Sequence, residues 1–379
     1  MLKIRKHKIV LLLIICLLAG TLVGCSSSKD ASAPKDTASD GKKAEVPVDN
    51  YVVKLGYYNC DHMTGACIAE DAGIFEKLGL KVQVTGNGEV PKAMAAGQMD
   101  CGYVGVTGLR LAYGKGAPVF VAANNHLGGS WYLVASNKIK DAKELVGKKV
   151  ALGSNAHETY LGWVNLAKKL GIPADTKEYQ CFDMKDADEY LAMKTGQLDG
   201  FTTCDPWGSM AEHEKTGHIL GADLKLASGN WGVCCVYAMS NKFSKEHPEL
   251  AKKMLLAHTQ ALEYIYTHPA KSAKIFAENY KVPEEVGLMT IYKKTVEEGR
   301  TLTWELNRDN MEELFMDSKE AGIKNFLDYK SDPNFANTML LEQAGVDDFD
   351  QFIKDKVDPV FPLGMSYKDW KKKAMEIDA

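Results

Sequence analysis

The chain has 379 residues, 45 % of them hydrophobic, and its 46 basic and 50 acidic side chains leave a formal charge of −4. A mildly acidic balance argues against a nucleic-acid partner, because a phosphate backbone demands a basic surface. Removing the basic groups Lys3, Arg5, Lys6 and Lys8 takes the charge to −8.

Those four residues precede an apolar run from Ile9 to Leu18, and a basic start, a short apolar run and small residues make an export signal. The run is too short for a membrane span of ~20 residues. Leu22-Val23-Gly24-Cys25 has the form of a bacterial lipobox. Residues 1–24 are therefore expected to be a signal peptide, and Cys25 to carry the lipid that holds the protein on the extracytoplasmic face of the cell membrane. Residues 25–50 are Ser, Lys, Asp, Ala and Pro with almost no large apolar side chain, a composition that cannot form a core and predicts a disordered tether.

The rest of the chain, roughly 330 residues, exceeds one typical core and predicts two lobes. Val52 to Tyr58 reads as a strand that ends at Asn59-Cys60-Asp61-His62, and Ala66 to Leu78 has helical spacing. Gly73 and Gly79 can close helices through positive φ. Leu80 to Thr85 is a strand, Pro91 to Ala96 a short helix, and Cys101 to Val106 a strand opening into Thr107-Gly108 and another helix. This alternation predicts a parallel sheet covered by helices.

Pro118 to Ala123 reads as a further strand, and Trp131 to Ser136 leads toward a second lobe that repeats the plan. Its strands are Lys148 to Leu152, Lys177 to Phe182 and Gly200 to Thr203, with helices ending at Leu170 and Lys194 and a third helix after Asp205-Pro206-Trp207. Gly232 to Met239 alternates and should cross back, followed by long helices from Pro248. The expected division is 51–137 plus 232–330 for lobe one, 138–231 for lobe two, and 331–379 as a C-terminal helical extension.

Asp71-Ala-Gly-Ile-Phe-Glu-Lys-Leu-Gly-Leu80, Ala95-Ala-Gly-Gln-Met-Asp100 and Gly102-Tyr-Val-Gly105 resemble the first lobe of nitrate/sulfonate/taurine-type solute-binding proteins of ABC importers. Leu145-Val-Gly-Lys-Lys-Val-Ala151, Lys194-Thr-Gly-Gln-Leu-Asp199 and Asp205-Pro206-Trp207 resemble that family's second-lobe motifs, in the same order and spacing. The resemblance implies an α/β, type II periplasmic-binding-protein fold, two lobes with parallel-type sheets joined by a two-crossing hinge. It implies a monomeric, non-enzymatic protein that takes a small-molecule ligand to an ABC permease and its ATPase. By the same resemblance the cleft contacts are Asn59, Cys60, Asp61, His62, Thr107, Gly108, Asn125, His126, Ser130, Asn155, His157, Thr159, Cys204, Asp205, Trp207 and Trp231.

The expected solute is a nitrate-, sulfonate- or taurine-like oxyanion, with a thiamine-precursor pyrimidine or a soft-metal, organometal or thiol compound as the alternative. Thr107, Ser154, Asn155, Thr159 and Asp205 stand at helix starts, where free N–H groups favour an oxyanion such as nitrate or a sulfonate, and each is equally an ordinary N-cap. His62, His126 and His157 could converge on one ligand. Trp131, Trp207 and Trp231 could stack on a planar solute, and the resembled family includes binders of thiamine-precursor pyrimidines. Apart from Cys16 and Cys25, seven cysteines remain, an odd set that does not read as a disulfide framework. Cys60, Cys181 and Cys204 fall at strand ends toward the cleft, which keeps a soft-metal, organometal or thiol compound open as the solute.

Buried cysteines also serve as small hydrophobes. That reading suits Cys101 and one of Cys234-Cys235, whose side chains should point to opposite faces of a strand; the pair also resembles one found in some nitrate-type relatives. No cofactor and no resident metal is called for. The same fold also serves a yeast-type pyrimidine synthase, but the lipobox opposes a cytosolic enzyme, and the sequence has no nucleophile elbow, Walker loop or HExxH.

Overall fold

A computed structural model describes residues 50–58, 60–86, 89–128, 131–152, 161–222, 225–320 and 332–379. The signal, lipobox and tether expectations lie outside these residues.

Among the described residues, ten strands form two sheets. The first contains β1 (Val52–Tyr57), β2 (Lys81–Gly86), β3 (Cys101–Gly105) and β4 (Val119–Leu127). The second contains β5 (Trp131–Ser136), β6 (Lys149–Ala151), β7 (Gln180–Phe182), β8 (Gly200–Cys204) and β9 (Gly217–Ala222). Strand β10 (Val233–Ser240) returns to the first. The orders are β2-β1-β3-β10-β4 and β7-β6-β8-β5-β9, so each sheet has the same plan. The chain changes sheet after β4 and again before β10, which gives the two crossings of a hinge.

The sheets are mixed rather than parallel. β1 pairs in parallel with β2 and β3, and β6 with β7 and β8, as the strand-helix alternation requires. β10 and β5 run antiparallel to both of their neighbours. Each enters its sheet directly from the other one, without the crossover helix that a parallel connection needs. Trp131–Ser136 therefore lies in the second sheet, not at the end of the first lobe, and Gly217–Ala222 adds a strand that the sequence pattern does not announce.

The helices of seven residues or more that cover or extend these sheets are α1 (Gly65–Asp71), α2 (Val106–Gly114), α3 (Leu161–Leu170), α4 (Asp186–Lys194), α5 (Trp207–His213), α6 (Pro248–Thr267), α7 (Pro269–Tyr280), α8 (Glu284–Tyr292), α9 (Arg308–Glu320) and α10 (Tyr367–Ile377). The single helix read over Ala66 to Leu78 is broken at Gly73, whose φ of 69° is the left-handed conformation that closes α1. Pro248 and Pro269 start α6 and α7, where a missing N–H costs nothing. Trp163 and Trp304 are fully buried in core faces. The C-terminal segment also touches the first sheet, through a bridge between Ala336 and Val121.

Helix α8 packs on α7 with almost no separation. A Cβ built on Gly287 would lie 2.3 Å from the Ala273 carbonyl oxygen, a backbone atom that cannot rotate away. Gly287→Val is expected to cost about 1–3 kcal/mol through overpacking, read as a lowered midpoint in urea denaturation. The packing matters beyond the two helices, because the residues that come after α8 supply the buried lysines of the cleft.

Candidate functional site

The chain leaves β1 into a 3-10 turn, Asp61–Met63, in which all three residues are buried. Its backbone is held from several sides. Thr64 Oγ1 donates to the Asp61 carbonyl at 2.7 Å, Tyr280 OH to the Cys60 carbonyl at 2.7 Å, and Asn125 Nδ2 to the His62 carbonyl at 2.5 Å. Asp61 N donates to the Asp205 carbonyl at 3.1 Å, which joins this turn to the end of the second sheet.

The His62 ring stacks on His126, with centroids 4.2 Å apart and planes 12° from parallel. His62 Nδ1 faces sulfur: Cys234 Sγ at 3.6 Å, Cys235 Sγ at 3.7 Å and Cys204 Sγ at 4.0 Å. Its Nε2 faces Asp61 Oδ1 at 3.6 Å. Cys60, Asp61, His62 and Cys204 form one group whose ligand atoms lie within 4.8 Å of one another, and His62, His126 and Cys234 form a second.

Both vicinal cysteines reach this point, 3.5 Å apart at sulfur, where strict alternation would send them to opposite faces. The pairing of β10 with β4 shifts register between Val233 and Cys235 and again between Cys235 and Val236. Such a bulge inserts an unpaired residue and re-aims a side chain, as bulges beside functional sites do. Cys181 goes elsewhere: it packs in the core under the second sheet, with Sγ 3.3 Å from the Thr176 carbonyl, so its strand end does not face the cavity.

Two lysines that no sequence motif marked complete the site. After α8 the helix widens into one π turn, Lys293–Glu297. Lys294, 1 % exposed, places Nζ 2.7 Å from Asp61 Oδ2, 3.9 Å from Glu298 and 3.2 Å from His126 Nε2. An ammonium only donates, so His126 accepts at Nε2 and carries its proton on Nδ1. Lys293 lies 4.0 Å from Asp205 and 3.0 Å from Glu212. The one visible signal was a Lys-Lys pair inside the apolar stretch Leu288 to Val296.

These contacts sort the charges. Burial, with the nearby Lys294 and His62, holds His126 well below the usual imidazole range. Burial also opposes charge on His62, but Asp61 and Cys234 outweigh it and carry the ring well above that range. The Asp61 carboxyl is pushed up to about 7 by burial, against the pull of His62 and Lys294. The hydrogen bond with Cys204 brings Cys60 down to about 5 in spite of burial, with His62 assisting. Cys234 is held well below the ordinary thiol range by Cys235, again against burial and with help from His62. By contrast burial pushes Cys101 up, and Cys181 as well. A small alkylating agent at neutral pH is therefore expected to modify the half-buried Cys234 before Cys181 or Cys101, because the thiolate is the nucleophile; mass mapping of partly alkylated protein checks the order.

The sulfur atoms form one side of a cavity of about 320 Å³ between the sheets. Tyr58, Tyr103, Trp131, Val90 and Pro91 supply most of the remaining wall, and Gly105 and Gly108 border it at the start of α2.

Of the cleft residues expected from the sequence, Cys60, His62, Cys204 and Gly108 line this cavity. Asp61, Asn125 and His126 are fully buried beside it. Thr107 is exposed at the start of α2. Trp207 stacks on Tyr190, and Trp231 donates to the Glu298 carbonyl at 3.2 Å under the ammonium of Lys225.

Asp205 is engaged by the fold. Its Oδ1 accepts from Ser209 N at 2.7 Å, and its Oδ2 from Ser209 Oγ at 2.7 Å and Thr290 Oγ1 at 3.1 Å, which ties α5 to α8. Asn59, Ser130, Ser154, Asn155, His157 and Thr159 lie outside the described residues.

Residues 47–278 match the NMT1-like family. A Brucella abortus protein named as a binding protein is 27 % identical over 290 residues, covering 75 % of this chain and 85 % of that one. The 4-amino-5-hydroxymethyl-2-methylpyrimidine phosphate synthase of Saccharomyces cerevisiae is 24 % identical over 237 residues, covering 56 % of this chain and 65 % of the synthase. The crystal structure of the periplasmic nitrate-binding protein NrtA from Synechocystis superposes with a TM-score of 0.60 at 15 % identity, covering 86 % of this chain and 98 % of that one. The fold is therefore that of the periplasmic binding proteins.

Proposed function

The chain belongs to the NMT1-like family, and from that membership and its cavity we propose that it is the extracytoplasmic solute-binding lipoprotein of an ABC importer. In this reading Cys25 carries the lipid, a small solute enters between the two lobes, and the closed form docks on a permease. The observation that carries it is the make-up of the cavity wall. Tyr58 and Cys60 come directly after β1, Trp131 and Cys204 belong to the second sheet, and Cys234 and Cys235 belong to the returning strand. A solute touching all three would favour the closed arrangement over the open one, which is what hinge closure requires.

The lining also bears on the solute. Among the described residues it contains no lysine or arginine, and its one basic group is His62, beside the acidic thiols of Cys60 and Cys234 and three aromatic rings. That balance supports a small planar solute with an apolar body, such as a pyrimidine, over bare nitrate, whose charge would need more donors. The name of the yeast relative points the same way on ligand shape.

A thermal-shift screen of the reduced protein against nitrate, taurine, alkanesulfonates and aminopyrimidines tests the reading. A solute at a hundred times its Kd adds about 2.7 kcal/mol to the native state, and the aminopyrimidines are expected to give the largest rise. A rise with nitrate alone would reverse the solute assignment, and no rise with any of the four classes would remove the support for solute capture.

A further inference from the structure

The sulfur side of the cavity has a geometry that solute capture does not require. Four-coordinate zinc sits about 2.3 Å from sulfur and 2.0–2.1 Å from nitrogen. A tetrahedron with those arms has sulfur–sulfur edges of about 3.8 Å and nitrogen–sulfur edges of about 3.6 Å. Here Cys234 Sγ and Cys235 Sγ are 3.5 Å apart, and His62 Nδ1 is 3.6 Å from the first and 3.7 Å from the second. These three atoms are one face of such a tetrahedron before any metal enters. Cys204 Sγ, on the second sheet, stands 4.0 Å from the same nitrogen and is the thiol of that sheet that a fourth bond would recruit.

We propose that His62, Cys234, Cys235 and Cys204 form a four-coordinate site for a thiophilic d10 cation of the zinc class. The ligand set matches that chemistry, since thiolates and imidazole select zinc-like ions over magnesium or calcium. The surroundings match as well. A ligating histidine usually turns its other ring nitrogen toward a carboxylate that fixes its orientation. His62 Nε2 faces Asp61, and Asp61 is itself held by Lys294 at 2.7 Å. The bulge in β10 is what puts two adjacent cysteines on one side of a strand, and a chelating pair is a use for that departure from alternation.

Binding releases the Nδ1 proton of His62 and the protons that the three thiols still hold, and forms three metal–sulfur bonds and one metal–nitrogen bond, with no change of oxidation state. It also links the turn after β1 and the returning strand to β8 of the second sheet, so the metal would hold the cleft closed. The site stands independently of the import reading, because it needs no organic solute.

Cobalt(II) titration of the full chain, reduced with a phosphine under argon, tests the site. The expected result is saturation at one equivalent, with the intense visible bands of four-coordinate cobalt, charge transfer from three thiolates, and displacement by one equivalent of zinc(II). Cys235→Ser should abolish stoichiometric binding, and Cys204→Ser should remove a third of the charge-transfer intensity. Asp61→Asn should weaken binding about 10- to 100-fold. Cys181→Ser should change nothing.

No saturable binding, the weak spectrum of six-coordinate cobalt, or an unaltered spectrum in natively folded Cys235→Ser would overturn the proposal. The spectrum of the unsubstituted protein decides the matter alone if that variant does not fold. Organic solutes that shift the melting temperature in the presence of a chelator, in a protein that fails the cobalt test, would overturn the metal site and leave the import reading standing.

Discussion

Lys294→Met is expected to cost about 3–5 kcal/mol of folding stability, the range seen when one member of a buried ion pair is removed. The side chain is 1 % exposed, and its ammonium is the common donor to Asp61 and His126. Methionine keeps much of the volume and the flexible stem, so the loss is electrostatic rather than a cavity. The variant is left with a carboxylate whose remaining cation is the His62 ring, 3.6 Å away, and an imidazole acceptor that has lost the Lys294 donor, both far from water.

The double variant Asp61→Asn/Lys294→Met removes the stranded charge and is expected to recover part of the cost, so that the two changes are strongly non-additive. Urea denaturation of reduced protein, with unchanged m-values, gives the comparison. A single-variant loss below about 1 kcal/mol would mean that water or the His62 ring already serves Asp61, and that the ion pair with Lys294 does not organise the turn after β1.

The same lysine shows where sequence reasoning stopped. Strands and helices were legible because their signals are local. Val53 and Leu55 are buried on alternate positions of β1, and the same strand-helix alternation recurs in the second sheet. His62 and Cys204 were legible as cavity residues because they directly succeed or end strands whose position the alternation had set.

Lys294 was not legible, since its partner Asp61 lies 233 positions earlier in the chain and nothing in local composition announces a contact at that range. Cys234 and Cys235 were misread for a different reason. Period-two alternation is the rule for an unbroken ladder, and the register shifts that break it in β10 depend on how that strand meets β4 after the chain has passed through the second sheet. Asp205 was misleading in the opposite sense. An acid at a helix start looks available to a ligand until Ser209 and Thr290 are seen to occupy it.

Gly105→Leu is expected to lower affinity for whichever solute the thermal screen identifies by about a hundredfold, or roughly 2.7 kcal/mol, while leaving folding stability within about 0.5 kcal/mol. Gly105 borders the cavity at the start of α2, and its φ of −64° and ψ of 132° are extended values that any L-residue adopts. An added Cβ would have nothing within 4 Å, so the branch point itself is unopposed and the rest of the leucine would take up space at the cavity wall.

Gly102, three residues earlier on β3, supplies the contrast. A Cβ there would lie 2.5 Å from Val90 Cγ1 and 3.1 Å from Met94 Sδ, so Gly102→Leu should destabilise the fold by about 1–3 kcal/mol through overpacking. The two variants thus separate loss of a binding volume from loss of the sheet that frames it. Isothermal titration beside urea denaturation reads both quantities. A Gly105→Leu protein that folds normally and binds as tightly as the unsubstituted chain would place the solute outside this cavity, and the lobes would then have to close on some other surface.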